Sequence, residues 1–417
     1  MSNVFVATDL LAKEALRVAH EKLQFIGTID RQYDESFTYQ GNRGVHGQTL
    51  RVRSPNMYTP REGSRVMVVQ DQAEVAQTIT VATQDGVDIG DFSSAELIQS
   101  VHSDGAFDDL SKNYIQPAIS SLCSLIESKM IAYATKATYN CAGTAGTALT
   151  DLVAVGAARA KLNQNLAPKD GRRYIQCDSV TMGGMVNGLK GLFQDSTQIK
   201  EQYREGMMGR TAMADWYEND RMWTLTNGAD VTCTVAGAAA VTDGGSAITF
   251  ASLSAAPATG AVFTIPGVYA CHPETKASLG VLQQFVVTTG STTIQAVAPA
   301  FYITGARQNI CTAAGAQLTT AFFNDTGLVP TFVGAASTSY VQNLMYHKEA
   351  YQFITADLPI VDDAQKCVRV KKDGLSLRIW MASDIVNDRM LLRADILYGM
   401  AALRPAWASR IIGSASA

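Results

Sequence analysis

Residues 262–297 read VFTIPGVYACHPETKASLGVLQQFVVTTGSTTIQAV, short apolar runs separated by turn residues. Val262–Ile265 and Phe285–Thr288 are short runs of β-branched and aromatic residues, the composition of buried strands. Thr289-Gly290-Ser291-Thr292 supplies a hairpin turn that leads into a further strand, Thr293–Val297. Asp243-Gly244 is a second hairpin signal upstream. The charges around this stretch are sparse. From Ala229 to Met345, 117 residues hold six: Asp230, Asp243, Glu274, Lys276, Arg307 and Asp325. The other 300 residues hold the remaining 66, so charge density steps sharply at both ends of a module. Short strands with tight turns predict a small β barrel or sandwich. A disordered linker would carry fewer β-branched residues.

The flanks follow different rules. Thr8 or Asp9 can cap a helix running to about Lys22, with Leu11, Ala15 and Val18 on one stripe. A polar, glycine-containing stretch follows, then an alternating strand, Thr49–Arg53. Pro55 and Pro60 break it, and Arg65–Val69 and Val75–Thr83 read as further strands. Five arginines (Arg43, Arg51, Arg53, Arg61 and Arg65) face one acid, Glu62. Such a two-stranded arm has no core of its own and needs a partner surface. Ile115, Ile119, Leu122, Ile126, Met130 and Tyr133 then recur at spacings of three and four, which predicts a long helix with Pro117 in its first turn. An Ala-rich helix at 150–163, a strand Tyr174–Cys177 and a helix from Ser179 to about Phe193 complete the near flank. After the charge-poor module, Leu375–Met381 alternates as a strand that pairs with Leu391–Tyr398. The sum is an α+β body with an all-β insertion.

Composition narrows the function. The chain has 417 residues, a net charge of −4 and 47% hydrophobic residues, enough to bury a core without disulfides or metal. An acidic balance argues against a dedicated nucleic-acid binder. The seven cysteines contain no C-x-x-C pair and read as reduced, buried thiols of a cytosolic product. No basic-then-apolar leader and no run of about 18 apolar residues is present, so neither a secretory signal nor a membrane span is expected. Nucleophile elbow, phosphate loop and dinucleotide fingerprint are all missing. Gly143-Thr144-Ala145-Gly146-Thr147 reads as a connector, and Asp362-Asp363 as a solvated turn. His272 and His347 are isolated, and Cys177-Asp178-Ser179 has no histidine nearby in sequence. No catalytic, cofactor or metal residue is assigned.

Three segments together carry a family resemblance. They are QTITVATQDGVDIGDFSSAELIQS (77–100) with FDDLSKNYIQPAISSLCSLIESKMIAYA (107–134), LMYHKEAYQFITADLP (344–359), and DGLSLRIW (373–380) with LLRADILYGMAALRPAWASRIIG (391–413). In this order they resemble the major capsid proteins of tailed bacteriophages with the HK97-like fold, and more narrowly the coat-protein family of the short-tailed phage P22. The resemblance implies an N-terminal arm (1–30), an extended loop (31–78) and a peripheral domain with its spine helix (79–145). It further implies an axial domain (146–225), an inserted β-barrel domain (226–340), and at 341–417 the rest of the axial domain with late strands of the peripheral domain. It implies no enzyme activity, no cofactor, and self-assembly through pentamers and hexamers into an icosahedral shell. That shell would enclose double-stranded DNA without sequence-specific binding, and would form in the host cytoplasm with a scaffolding protein and a portal. The residues from Ala236 to Ala256 are short and nearly uncharged where family members can carry a charged loop between capsomers.

Specific surfaces follow. Arg43, Arg51, Arg53, Arg61 and Arg65 are expected to pair with carboxylates of an adjacent subunit. Leu11, Glu14, Val18 and Glu21 are expected to meet the inner shell surface or a basic scaffold helix. The rival readings are a host-surface or carbohydrate-binding β-protein, and a soluble enzyme with an unrecognised site; a stable monomer with sugar affinity or substrate turnover would favour them.

Overall fold

The computed structural model describes residues 13–19, 23–33, 48–59, 76–93, 114–189, 209–237, 241–360, 366–372, 374–384, 386–387 and 389–415, with six further positions between 61 and 69. Contacts divide the chain into two compact units.

The first unit draws on residues 1–52, 76–130 and 351–403. Its centre is a six-stranded sheet organised by the long strand Arg389–Ala401. One edge of that strand pairs with Thr83–Ser93 over most of its length. The other edge accommodates two strands in succession, Leu375–Asp384 and then Gln352–Ala356. Lys366–Lys372 extends the sheet antiparallel on one side, and Asp30–Tyr33 adds a parallel strand on the other.

The two-stranded arm, Gln48–Arg53 with Ala76–Val81, seats its base on this unit. Ile79 and Val81, with Leu50 and Val52, pack against Ile354, Ala356 and Leu397. Gly399 permits that approach: a Cβ there would lie 2.7 Å from the Thr80 carbonyl oxygen. Beyond Arg53 the described residues are irregular and exposed, so the strand expected at Arg65–Val69 does not form among them. Alternation alone cannot hold a strand that has no ladder partner.

The helix Gln116–Ala137 buries Ile119, Leu122, Ile126 and Met130. Pro117 stands in its first turn, where a missing N–H costs nothing. Tyr133, expected on the buried stripe, is partly exposed; Ile131 and Ala134 continue the buried line instead. From Met130 a spacing of four stays on the stripe, whereas three falls beside it. Glu127, wholly buried on this helix, accepts the Phe25 N–H at 2.7 Å and so caps the short helix Gln24–Thr28.

The second unit draws on residues 53–75, 131–350 and 404–417. A seven-stranded sheet runs in the order Cys141–Ala142, Ala408–Ala415, Ser339–His347, Arg173–Cys177, Ala214–Glu218, Arg210–Thr211, with Thr224–Thr226 also on Ser339–His347. The helices Val153–Gln164 and Ser179–Leu189 cover it through Val155, Ala158, Leu162, Met182 and Met185, packed on Ile175, Met345 and Ile411.

The charge-poor module leaves and rejoins this sheet through a two-stranded stem, Thr226 against Ser339 and Thr224 against Val341. Inside, a second seven-stranded sheet runs Thr234–Val235, Gly245–Ala251, Ile294–Phe301, Ser278–Thr289, Val262–Cys271, then Ile310–Cys311 and Thr331–Phe332 on the last edge. The Val235 N–H donates to the Leu328 carbonyl at 2.9 Å, which curls the first strand round to the segment before the last. The core is aromatic: Phe285 stacks on Phe301 at 4.5 Å, and Phe250, Phe263, Phe323 and Phe332 surround them. The turn expected at Asp243-Gly244 lies between Thr234–Val235 and Gly245–Ala251, which pair antiparallel, and the Gly245 N–H closes it on the Thr242 carbonyl at 3.0 Å. The Asp243 carboxylate accepts the Ile303 N–H and the Thr304 hydroxyl, both at 2.7 Å, and so ties the turn to the segment that follows the neighbouring strand Ile294–Phe301.

Candidate functional site

The module sits on the neighbouring sheet of the same unit through a buried polar seat. Gln284, on the strand Ser278–Thr289, accepts the Cys141 N–H at 2.7 Å through Oε1 and donates to the Cys141 carbonyl at 3.0 Å through Nε2. Lys161, on the helix Val153–Gln164, donates to the same carbonyl at 2.6 Å and also to Gln284 Oε1. Burial pushes the Lys161 ammonium down from its ordinary value. It also pushes the Cys141 thiol up, against the pull of Arg410 and Lys161.

Arg410 is wholly buried and donates from Nη1 to the Gly260 carbonyl at 2.6 Å. Gly260 occupies φ +96°, and a Cβ on it would lie 3.0 Å from the Trp223 ring and 3.2 Å from Lys136 Cγ. Lys136 Nζ stands 5.2 Å from the centre of that ring. Tyr139, Val262, Val286, Tyr340 and Ile412 pack an apolar layer around these bonds. Sequence reading missed Lys161, Gln284 and Arg410. One signal was available: Arg410 is a lone charge inside the apolar run ASRIIG, the pattern of a buried, partnered cation.

The C-terminal Arg404-Pro405 has a local role. The Arg404 guanidinium stacks over Trp407 at 4.2 Å and pairs with Glu349 at 3.0 Å. The Trp407 indole N–H donates to the Asn165 carbonyl at 3.0 Å. Beside it, buried His347 accepts the Glu349 N–H on Nδ1 and donates from Nε2 to Asp170 at 3.0 Å. That is a structural histidine, as is His272, whose Nδ1 accepts the N–H groups of Glu274 and Thr275. In the Cys177-Asp178-Ser179 segment the Ser179 hydroxyl is engaged by Asp220, and burial pushes the Cys177 thiol far up. Neither is an activated nucleophile. Among the described residues no cluster could hold a metal ion, and no helix is long and apolar enough to cross a membrane.

The expected contact surfaces divide. Arg51, Arg53, Arg61 and Arg65 are all exposed, together with Met57, Tyr58, Met67 and Val69, the last two by 78% and 75%. Arg43 lies outside the described residues, as do Leu11 and Glu21. Val18 does not serve as an outward contact: it is buried within the chain with Ala15, Leu16 and Ala19. An apolar stripe that finds cover in its own subunit leaves nothing for a partner to bury. Glu14 pairs with Arg17 and accepts a bond from Gln116 at 3.2 Å.

Comparison with known proteins gives one family. The family model described as "P22 coat protein - gene protein 5" matches residues 69–413. No curated protein matches. Solved structures with similar chains include one from Mycobacterium phage Che8, at 11% identity and TM-score 0.44, covering 91% of each chain. The capsid of the cyanophage P-SCSP1u aligns at 10% identity and TM-score 0.42, over 93% of this chain and 90% of that one. A virus-like particle from Pyrococcus furiosus aligns at 6% identity and TM-score 0.38, over 97% and 98%.

Proposed function

The chain belongs to the P22 coat protein family, and from that premise we propose how its parts build a shell. It is a major capsid protein that forms the phage shell, a structural protein of the virion rather than an enzyme. In the proposal its α+β body has the HK97-like fold. The first unit supplies the peripheral domain with its spine helix, the sheet around Ser339–His347 supplies the axial domain, and residues 226–340 form the inserted β domain. Residues 31–78 form the extended loop that reaches across a neighbouring subunit. Copies assemble as pentamers and hexamers into an icosahedral shell around double-stranded DNA. Assembly takes place in the host cytoplasm, with a scaffolding protein and a portal as further partners.

The observation that supports this reading is the loop beyond Arg53. Met57, Tyr58, Met67 and Val69 are exposed beside arginines, with an anchored base at Leu50, Val52, Ile79 and Val81. Exposed apolar side chains gathered on one loop offer surface for a protein contact. Arginine adds bidentate pairing with a neighbour's carboxylates. Electron microscopy of purified protein with its assembly partners tests both levels. Closed shells are expected, and Arg51→Ala with Arg65→Ala is expected to leave a folded subunit that assembles poorly. Normal shells from the double variant refute the arginine contacts; a wild-type chain that never assembles refutes the shell.

A further inference from the structure

The inserted domain holds two thiols side by side, and we propose that Cys271 and Cys311 form a reversible disulfide when the protein meets a low-molecular-weight disulfide such as oxidised glutathione. The sheet places them together. Val262–Cys271 and Ile310–Cys311 run antiparallel, with Tyr269 opposite Cys311 and the Cys271 N–H bonded to the Asn309 carbonyl at 3.0 Å. Cys271 and Cys311 are therefore diagonal neighbours on adjacent strands. Residues two apart share a face, so both side chains stand on the same side of the sheet. Ile310 and Val268 point the other way, into the aromatic core. Cys311 is near enough to act on the Cys271 thiol electrostatically. Cys311 also lies 3.7 Å from the Tyr269 carbonyl, which keeps its sulfur against the strand that carries Cys271.

A turn covers Cys271. His272–Ala277 closes on itself through the His272 N–H to Ala277 and the Lys276 N–H to His272. The Cys271 thiol lies 2.9 Å from the Lys276 carbonyl, and Lys276 Nζ pins the turn to the Ala306 carbonyl at 2.5 Å. Glu274 and Thr275 at the tip are exposed. Burial, helped by the neighbouring Cys311, pushes the Cys271 thiol up to about 12. The closed turn thus keeps the Cys271 sulfur protonated and slow to react, and exchange proceeds when this turn opens.

The chemistry balances without a metal or an enzyme. One cysteine loses a proton and attacks a sulfur of oxidised glutathione, breaking its S–S bond and releasing one glutathione thiolate, which takes up the proton. The second cysteine then attacks the mixed disulfide, forms the Cys271–Cys311 bond and releases the second glutathione. Two thiols are oxidised and one disulfide is reduced to two thiols. In a reducing cytosol the pair stays open; in an oxidising medium it closes and ties the edge strand Ile310–Cys311 to the sheet.

The test uses the full chain, incubated with oxidised glutathione a few degrees below its melting temperature, then alkylated and digested. The expected result is a disulfide-linked peptide pair containing Cys271 and Cys311. A rise in melting temperature of about 5 °C or more should accompany it, reversed by dithiothreitol and absent from Cys311→Ser. Recovery of both cysteines alkylated, or each carrying glutathione without a link, overturns the proposal. So does a link that forms equally among the other buried cysteines, since it would report unfolding rather than this geometry. The peptide readout needs only the wild-type chain, so a variant that fails to fold leaves the test intact.

Discussion

Gly260→Ala is the substitution from which the seat of the charge-poor module can be measured. The residue sits at φ +96°, outside the region an alanine adopts readily, at roughly 1–3 kcal/mol. Its backbone cannot relax easily, because its N–H is bonded to Val287 at 2.7 Å and its carbonyl to Arg410 at 2.6 Å. The added methyl would lie 3.0 Å from the Trp223 ring and 3.2 Å from Lys136 Cγ, and overpacking of that kind costs about 1–3 kcal/mol. Loss of backbone freedom in the unfolded chain returns about 0.4–1 kcal/mol. The net expectation is a loss of about 2–4 kcal/mol. Urea unfolding followed by tryptophan fluorescence reads it, since Trp223 reports on the seat itself. A double-mutant cycle with Trp223→Leu separates the causes. Leucine removes the ring edge, so the two substitutions should couple by about 1 kcal/mol in the direction of rescue. Strict additivity, or an unchanged midpoint for Gly260→Ala, refutes the close approach at this seat.

Two further outcomes follow from the same kind of geometry. Gly399→Ala brings a methyl to 2.7 Å from the Thr80 carbonyl oxygen, so the arm strand Ala76–Val81 should lift; faster limited proteolysis between Arg53 and Ala76 is expected, and an unchanged rate rejects the contact. Asp243 feels burial, which pushes its carboxyl up, but the Ile303 N–H and Thr304 hydroxyl outweigh it and hold the carboxyl below its ordinary value. A depressed folded value stabilises the domain above the unfolded value near pH 4, and that stabilisation is lost as pH falls through the folded one. Wild-type protein should therefore lose more stability than Asp243→Asn between about pH 4 and pH 2, and parallel curves refute the link.

Local chemistry was legible in the sequence and long-range pairing was not. The helix Gln116–Ala137 follows from its spacings of three and four, and Pro117 marks its start. Thr289–Thr292 announces its hairpin because the turn demands those residues. Nothing local says that Arg389–Ala401 hosts two strands on one edge, since that depends on where strands from 352–356 and 375–384 return. The seat was hidden for the same reason: Gln284 meets Cys141 across 143 positions, and Arg410 meets Gly260 across 150. Arg65–Val69 shows the opposite failure, a pattern without a partner strand among the described residues.

The charge step that marks the inserted module also accounts for how it is held. Every ionised group at the seat comes from outside the module: Lys161 and Arg410 donate, and Lys136 faces Trp223. The module offers neutral acceptors in return, the Gln284 amide oxygen and the Gly260 carbonyl. A charge-assisted bond to a neutral acceptor is stronger than a neutral pair. It also avoids placing a second ion in the interior, where desolvation can exceed the Coulombic gain. A domain with its own phenylalanine core and a two-stranded stem needs orientation from its support more than it needs stability. Directional donors aimed at fixed carbonyl and amide oxygens supply that orientation. On this argument the six charges of residues 229–345 are few because they are not used for docking, and a carboxylate introduced at Gln284 would trade a fitted amide for a buried ion pair with Lys161.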